Sequence, residues 1–271
     1  MLIREKYTAL KEYLASLENV AVAFSGGVDS TLLLKTAHDV LGDKAIAVTV
    51  SSAFIAHREL HEAESFCAEN SITQELITVD ESEIEGFTEN PPDRCYLCKH
   101  AIFTRILETA RKHNILHVVE GSNVDDLGDY RPGLKALQEL SIKSPLREAG
   151  LTKAEIRQLS RELGLPTWEK PSYACLASRF VYGEKITREK LCMVEQAEEL
   201  LQSLGFRQMR VRLHGNIARV EIPLEEFSRI VQDSIRTKVY DTLKGLGFSY
   251  VTLDLGGYRT GSMNETLTKN S

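Results

Sequence analysis

The stretch Ser25-Gly26-Gly27-Val28-Asp29-Ser30 follows an apolar run, Val20–Phe24, and opens a helical pattern whose apolar face holds Leu32, Leu33 and Ala37. The two glycines let an anion approach the backbone, and the N–H groups of Gly26 and Gly27, with the helix N-terminus, can cradle it. No P-loop lysine follows, so the usual clasp on terminal phosphates is missing. The loop suits instead the pyrophosphate released when ATP is cleaved between its α and β phosphates. Asp29 is the candidate ligand for Mg²⁺, which commonly takes one or two carboxylates together with phosphate oxygens. The plainer reading is a glycine turn that packs a helix tightly on a strand.

Sulfur is the second source of chemistry. Five cysteines, an odd number, do not suggest a disulfide framework. Cys95 and Cys98 form a C-x-x-C at the mouth of a helix expected over Cys98–His113, where the helix dipole favours thiolate. Cys175 lies about 80 residues further on, in a turn-rich segment. Three loop thiols can hold an iron–sulfur cluster with one non-protein ligand position, or zinc with an open site. Spacing alone leaves a redox pair and a buried structural pair equally open. Cys67 and Cys192 sit in helical patterns and read as packing residues. His57 and His61 are four residues apart, but His57-Arg58-Glu59-Leu60-His61 lacks the glutamate a metalloprotease needs at its second position, so a solvated helix face is the reading there.

The elements that must position these residues follow from periodicity. Strands are expected at Val20–Phe24, Ala45–Val50, Gln74–Val79 and His117–Glu120, with helices at Asp29–Leu41, Ala56–Glu69, Cys98–His113 and Thr152–Leu163. This alternation predicts an α/β fold with a doubly wound, mostly parallel sheet over residues 1–170. Chemistry in such sheets sits beyond the C-terminal strand ends, where the unusual loops fall: "SGGVDS", "TENPPDRCYLCK" and "GSNVDDLGDYRPG". Residues 171–186 read as a junction carrying Cys175. Beyond it the pattern becomes a smaller α+β domain, 187–271: a helix Thr187–Leu204, a hairpin turning at His214-Gly215-Asn216, a further helix, and the strand "SYVTLDL". The unit helix, Leu-Gly-Phe, strand occurs twice.

Bulk properties narrow the classes. The chain has 271 residues, 42% hydrophobic and 27% charged, and no apolar run near the length of a membrane span. Its start, "MLIREKYTALKEYLASLE", is amphipathic without the apolar core of a signal peptide, so a cytoplasmic setting is expected. The net charge of −6 is unevenly placed, −7 over residues 1–183 and +1 over 184–271, and neither part forms a basic surface, which argues against nucleic acid as a partner.

The strand, double glycine and Asp-Ser resemble the signature of the PP-loop ATP pyrophosphatases. "DYRPGLKA", "SPLREAGLTKAEIR", "KPSYACLASRFVYG", "RVRLHGNIARVE" and "YVTLDLGGYRTGSMN" extend the resemblance along nearly the whole chain, to the LarE-type sulfurtransferases of nickel-pincer nucleotide biosynthesis. The resemblance implies ATP and Mg²⁺ as cofactors. It also implies adenylation of a carboxylate of pyridinium-3,5-biscarboxylic acid mononucleotide, and sulfur transfer to give a thiocarboxylate for the lactate racemase cofactor. Some members sacrifice a cysteine at the position of Cys175. Others hold a [4Fe–4S] cluster on three cysteines, matched here by Cys95, Cys98 and Cys175.

The same resemblance assigns Ser25, Gly26, Gly27, Asp29 and Ser30 to the nucleotide. It adds Lys99, Asp126 and Arg131 around it, with Asp129 in the same charged loop. Arg210 and Arg212, on one face of a strand, suit bidentate contacts to the substrate phosphate, and Arg179 can neutralise an anion near Cys175. A homohexamer is implied as well, with phosphate sites near subunit contacts; the donor of fresh sulfide is not. Rival expectations are a tRNA thiolase with an iron–sulfur cluster and an ATP-dependent amidoligase, which would need no cysteine.

Overall fold

The computed structural model describes residues 2–128, 132–171, 174–259 and 262, the side chains of 127 and 128 excepted. Arg131 and Asp129 fall outside these residues. The chain divides into two compact units, Met1–Ile84 with Asp93–Tyr173, and Glu85–Pro92 with Ala174–Ser271.

The first unit runs α1 (Ile3–Ser16), β1 (Val20–Ala23), α2 (Val28–Leu41), β2 (Ala45–Ser51), α3 (His57–Glu69), β3 (Gln74–Thr78), α4 (Arg94–Lys112), β4 (Val118–Val119), α5 (Gly133–Glu139), α6 (Pro145–Glu148) and α7 (Lys153–Glu162). Its sheet has the order β3-β2-β1-β4, all parallel, with Val20 opposite Ala45, Ala47 opposite Gln74 and Ala21 opposite Val118. Successive side chains of a strand alternate between faces, and both faces here are apolar. Val20 and Val22 pack with Leu10, Leu14, Leu32, Leu33 and Ile156. Ala21, Ile46 and Val48 pack on the other side with Phe103, Ile106 and Leu137.

Chain order places β2 and β3 on one side of β1 and β4 on the other. The topological switch therefore lies beyond the ends of β1 and β4, where open α/β sheets bind ligands. The helix carrying the C-x-x-C begins four residues earlier than its apolar pattern indicates, at Arg94 rather than Cys98, so both thiols stand within the helix. The helix at α7 starts as its sequence signals: Thr152 Oγ1 accepts from Glu155 N–H at 3.3 Å and Glu155 Oε2 accepts from Thr152 N–H at 2.9 Å.

The second unit contains α8 (Arg188–Ser203), β5 (Arg210–His214), β6 (Ile217–Glu221), α9 (Phe227–Ile230), α10 (Asp233–Gly245) and β7 (Tyr250–Leu253). β5 and β6 are the antiparallel hairpin, and β7 joins β6 in parallel. α8 and α10 end alike: Gly205 and Gly247 take positive φ, and the N–H of the following buried phenylalanine, Phe206 or Phe248, returns to a carbonyl of the last turn. This is the Schellman ending, and it explains the repeated Leu-Gly-Phe. Residues 85–92 join this unit through Asn90, which donates to Val181 O at 2.6 Å and accepts from Gly183 N–H at 2.9 Å. Among the described residues, no helix is long and apolar enough to cross a membrane.

Candidate active site

In the first unit the loop after β1 is held open by its own hydroxyls. Gly26 has φ +67°, and Gly27 is the N-cap of α2 without a side-chain cap. Ser30 Oγ donates to Gly27 O at 3.1 Å and lies 3.1 Å from Ser25 Oγ. The first N–H groups of α2 have no intrahelical acceptor by construction, so they face whatever the loop encloses.

The loop after β4 closes on it. A Cβ on Gly121 would fall 3.1 Å from Ser30 N and 3.2 Å from Asp29 Cβ, so any side chain there would push these two loops apart. Asn123 Nδ2 donates to Asp29 Oδ1 at 3.2 Å. Lys153, the first residue of α7, forms a close ion pair with Asp29 Oδ2, while its own N–H donates to Asp125 Oδ2 at 2.8 Å. Lys170 reaches Gly26 O at 2.9 Å and Glu62 Oε2 at 2.5 Å.

Ser25, Gly26, Gly27, Asp29 and Ser30 thus share one loop. Asp126 stands at its border, accepting from Asn123 N–H at 2.9 Å. Lys99 lies against α5, where a Cβ on Gly133 would sit 2.6 Å from Lys99 Cδ and 3.3 Å from Cys95 O. Sequence patterns missed Lys153, Lys170, Asn123 and Glu62. Lys153 was visible only as part of a helix start, and nothing local distinguishes Lys170 from a surface lysine.

Cys95 and Cys98 are half-buried within the first five residues of α4, three residues apart and so on one helix face. Cys175 is exposed and belongs to the second unit, directly before the 3₁₀ turn Leu176–Arg179. Among the described residues, no group of three or more His, Cys, Asp or Glu side chains is arranged to hold a metal ion. Cys67 is buried, and burial pushes its thiol up to about 12, which suits a packing residue. Cys192 does not fit that role: it is exposed on α8, because the apolar stripe Leu191, Val194, Ala197 and Leu201 faces the core beside it. His57 and His61 are exposed on α3, in line with a solvated face.

In the second unit the three arginines singled out in the sequence gather around two buried carboxylates. Arg179, 1% exposed, donates from Nε and Nη2 to Glu198 at 2.9 and 2.8 Å, and from Nη1 to the carbonyls of Ala174 and Cys175 at 2.6 and 3.1 Å. It therefore braces the backbone of Cys175. Arg212 donates to Glu221 Oε2, Ser178 O and Ser262 Oγ at 3.0–3.1 Å. Arg210 donates to Met209 O at 2.6 Å and stacks over the Tyr258 ring. Both faces of β5 are buried, so the Arg/Val alternation is not a solvated face.

Burial pushes the Glu198 carboxyl up, but the charge and hydrogen bonds of Arg179 outweigh it and hold the group below the usual carboxylate range. Burial, then the neighbouring Arg179 charge, lowers Arg210 from its ordinary value.

A parallel sheet whose first strand feeds a double-glycine loop and a helix at the switch point defines an α/β protein of the PP-loop ATPase-like class. No family model matches the chain. Three curated relatives align along nearly all of it. An uncharacterized protein of Synechocystis sp. is 43% identical over 268 residues, 99% of this chain and 100% of its own. The pyridinium-3,5-bisthiocarboxylic acid mononucleotide synthase of Lactiplantibacillus plantarum is 41% identical over 265 residues, 97% and 95% of the two chains. An uncharacterized protein of Methanocaldococcus jannaschii is 30% identical over 243 residues, 90% and 92%. The chain belongs to the LarE-type sulfurtransferase family and is an enzyme.

Proposed function

We propose that this enzyme adenylates the carboxylates of pyridinium-3,5-biscarboxylic acid mononucleotide with ATP and converts them to thiocarboxylates, on the way to the nickel-pincer nucleotide of lactate racemase. The observation that carries this reading is 41% identity across 97% of the chain with a synthase named for that product. The nucleotide loop supports it, because a double-glycine turn at a helix N-terminus supplies N–H donors to pyrophosphate and no direct lysine clasp.

A substrate carboxylate oxygen attacks the α-phosphorus of ATP, and the bond to the β,γ-pyrophosphate breaks. The SGGVDS amides take up charge on the leaving group. Asp29 Oδ2 already faces one cation, the Lys153 ammonium. It suits Mg²⁺, which would supply further charge neutralisation there. Adenylation turns a poor electrophile into an acyl–phosphate anhydride that sulfur can attack, with AMP leaving.

The donor set Cys95, Cys98 and Cys175 suits a [4Fe–4S] cluster with one iron left open, which would carry the transferred sulfur. Arg179 holds the Cys175 carbonyl. The guanidinium groups of Arg210 and Arg212 make the second unit the candidate seat of the mononucleotide phosphate.

The test is iron and acid-labile sulfide content after anaerobic reconstitution, in the native chain and in Cys95→Ala, Cys98→Ala and Cys175→Ala, followed by product analysis with ATP and the biscarboxylate. The expected result is about four irons per native chain, lost in each variant, and AMP formed with the thiocarboxylate. Thiocarboxylate without iron would leave Cys175 as a sacrificial donor and end the cluster proposal. Amide formation, or thiolation of tRNA instead, would end the whole reading.

A further inference from the structure

A lysine does reach the nucleotide loop, from 144 residues further along the chain. Lys170 Nζ belongs to a side chain only 13% exposed, and it donates to Gly26 O at 2.9 Å. The Gly26 carbonyl and the Gly27 N–H belong to one trans peptide, so they point in opposite directions. The ammonium sits on the oxygen side. On the other side, the Gly27 N–H makes no hydrogen bond among the described residues. A cation on a peptide oxygen withdraws charge from the amide and strengthens its N–H as a donor.

The chain holds Lys170 in place with some care. Arg157 donates from Nη1 to Trp168 O at 2.6 Å and from Nη2 to Lys170 O at 2.7 Å, and Arg161 stacks over the Trp168 ring at 4.9 Å. The backbone that carries the ammonium is thereby fixed to α7. Glu62, on α3, takes the remaining contact at 2.5 Å and draws part of the ammonium's charge away from the peptide.

We propose that Lys170 is a positioning residue for phosphate: acting through the Gly26–Gly27 peptide, it orients and strengthens the N–H that receives the pyrophosphate of ATP. The lysine absent from the loop's sequence works from behind the loop. This rests on the assignment of SGGVDS to pyrophosphate made above. Glu62 sets the strength of the effect, and its removal acts in the direction opposite to removal of Lys170.

Calorimetric titration with magnesium pyrophosphate, and separately with adenosine, tests this on the native enzyme and on Lys170→Met, Lys170→Arg and Glu62→Gln. Lys170→Met is expected to weaken pyrophosphate binding about tenfold, and Lys170→Arg to recover most of the loss. Glu62→Gln is expected to tighten it about twofold, with adenosine binding unchanged throughout.

A lysine that merely anchors the fold predicts weaker binding in Glu62→Gln as well, and loss of adenosine binding with it; either result overturns the proposal. Native enzyme that binds no pyrophosphate overturns the loop assignment itself. Native-like binding by Lys170→Met overturns only the role of Lys170. Thermal unfolding confirms that each variant is folded. Should Lys170→Met fail to fold, the opposite effect expected of Glu62→Gln still decides the question.

Discussion

The two units handle negative charge in opposite ways. In the first, the loop Ser25–Ser30 offers backbone N–H groups on a helix end, and the charged side chains around it, Asp29, Lys153, Lys170 and Glu62, are partly exposed. In the second, Arg179, Arg210 and Arg212 are buried with Glu198 and Glu221. A backbone cradle costs little to keep empty, because water can solvate its amides. A buried guanidinium must be balanced at all times, because an unpaired interior charge is expensive. The difference separates residues whose loss should show in binding alone from residues whose loss should show in folding as well.

The sharpest way to break that contrast is to remove one buried carboxylate. Glu198→Ala leaves Arg179 without its bidentate partner and also removes the acceptor of Val211 N–H. It is expected to cost about 3–5 kcal/mol of stability, read by denaturant unfolding; a cost below 1 kcal/mol would mean the network is not held as a closed ion pair. Asp29→Asn is the counterpart in the first unit. It should lower ATP–pyrophosphate exchange about a hundredfold while shifting stability by under about 1 kcal/mol, since its partner Lys153 is partly exposed. A large stability loss there would erase the distinction between the units.

The smallest effect is in pH. Because Arg179 holds Glu198 below its ordinary value of 4.5, the pair contributes stability above that pH and loses it as pH falls through the lowered value. Melting temperatures measured from neutral to acid pH should drop more steeply in the native chain than in Glu198→Gln, which has no proton to take up at that site. Parallel curves would remove Glu198 from the acid transition.

Much of the fold could be read in the chain because periodicity is a local property. The four strands of the first sheet and the helices between them lie within a few residues of their expected bounds, and the hairpin and the two Leu-Gly-Phe endings follow from alternation and a glycine at positive φ. Places where local patterning misled have a tertiary cause. The start of α4 at Arg94 is not marked by periodicity, because its first turn carries buried Arg94 and half-buried Cys95 where the apolar stripe would continue. Cys192 points outward although it adjoins that stripe on α8. Alternation puts the arginines of β5 on one face of the strand, but it does not reveal that the 3₁₀ turn Leu176–Arg179 and Ser262 lie against that face and bury it.

The sequence by itself determined that a strand, two glycines and a helix N-terminus would make an anion cradle, since each of those properties belongs to adjacent residues. It also marked the three cysteines as candidate sulfur chemistry by residue type. Only the tertiary structure decided which charges surround the cradle. Lys153 and Lys170 lie more than a hundred residues from it in the chain, and their ammonium groups arrive because α7 and the segment after it pack back onto the sheet. Backbone conformation is set by neighbours in sequence, whereas electrostatic partners are set by neighbours in space.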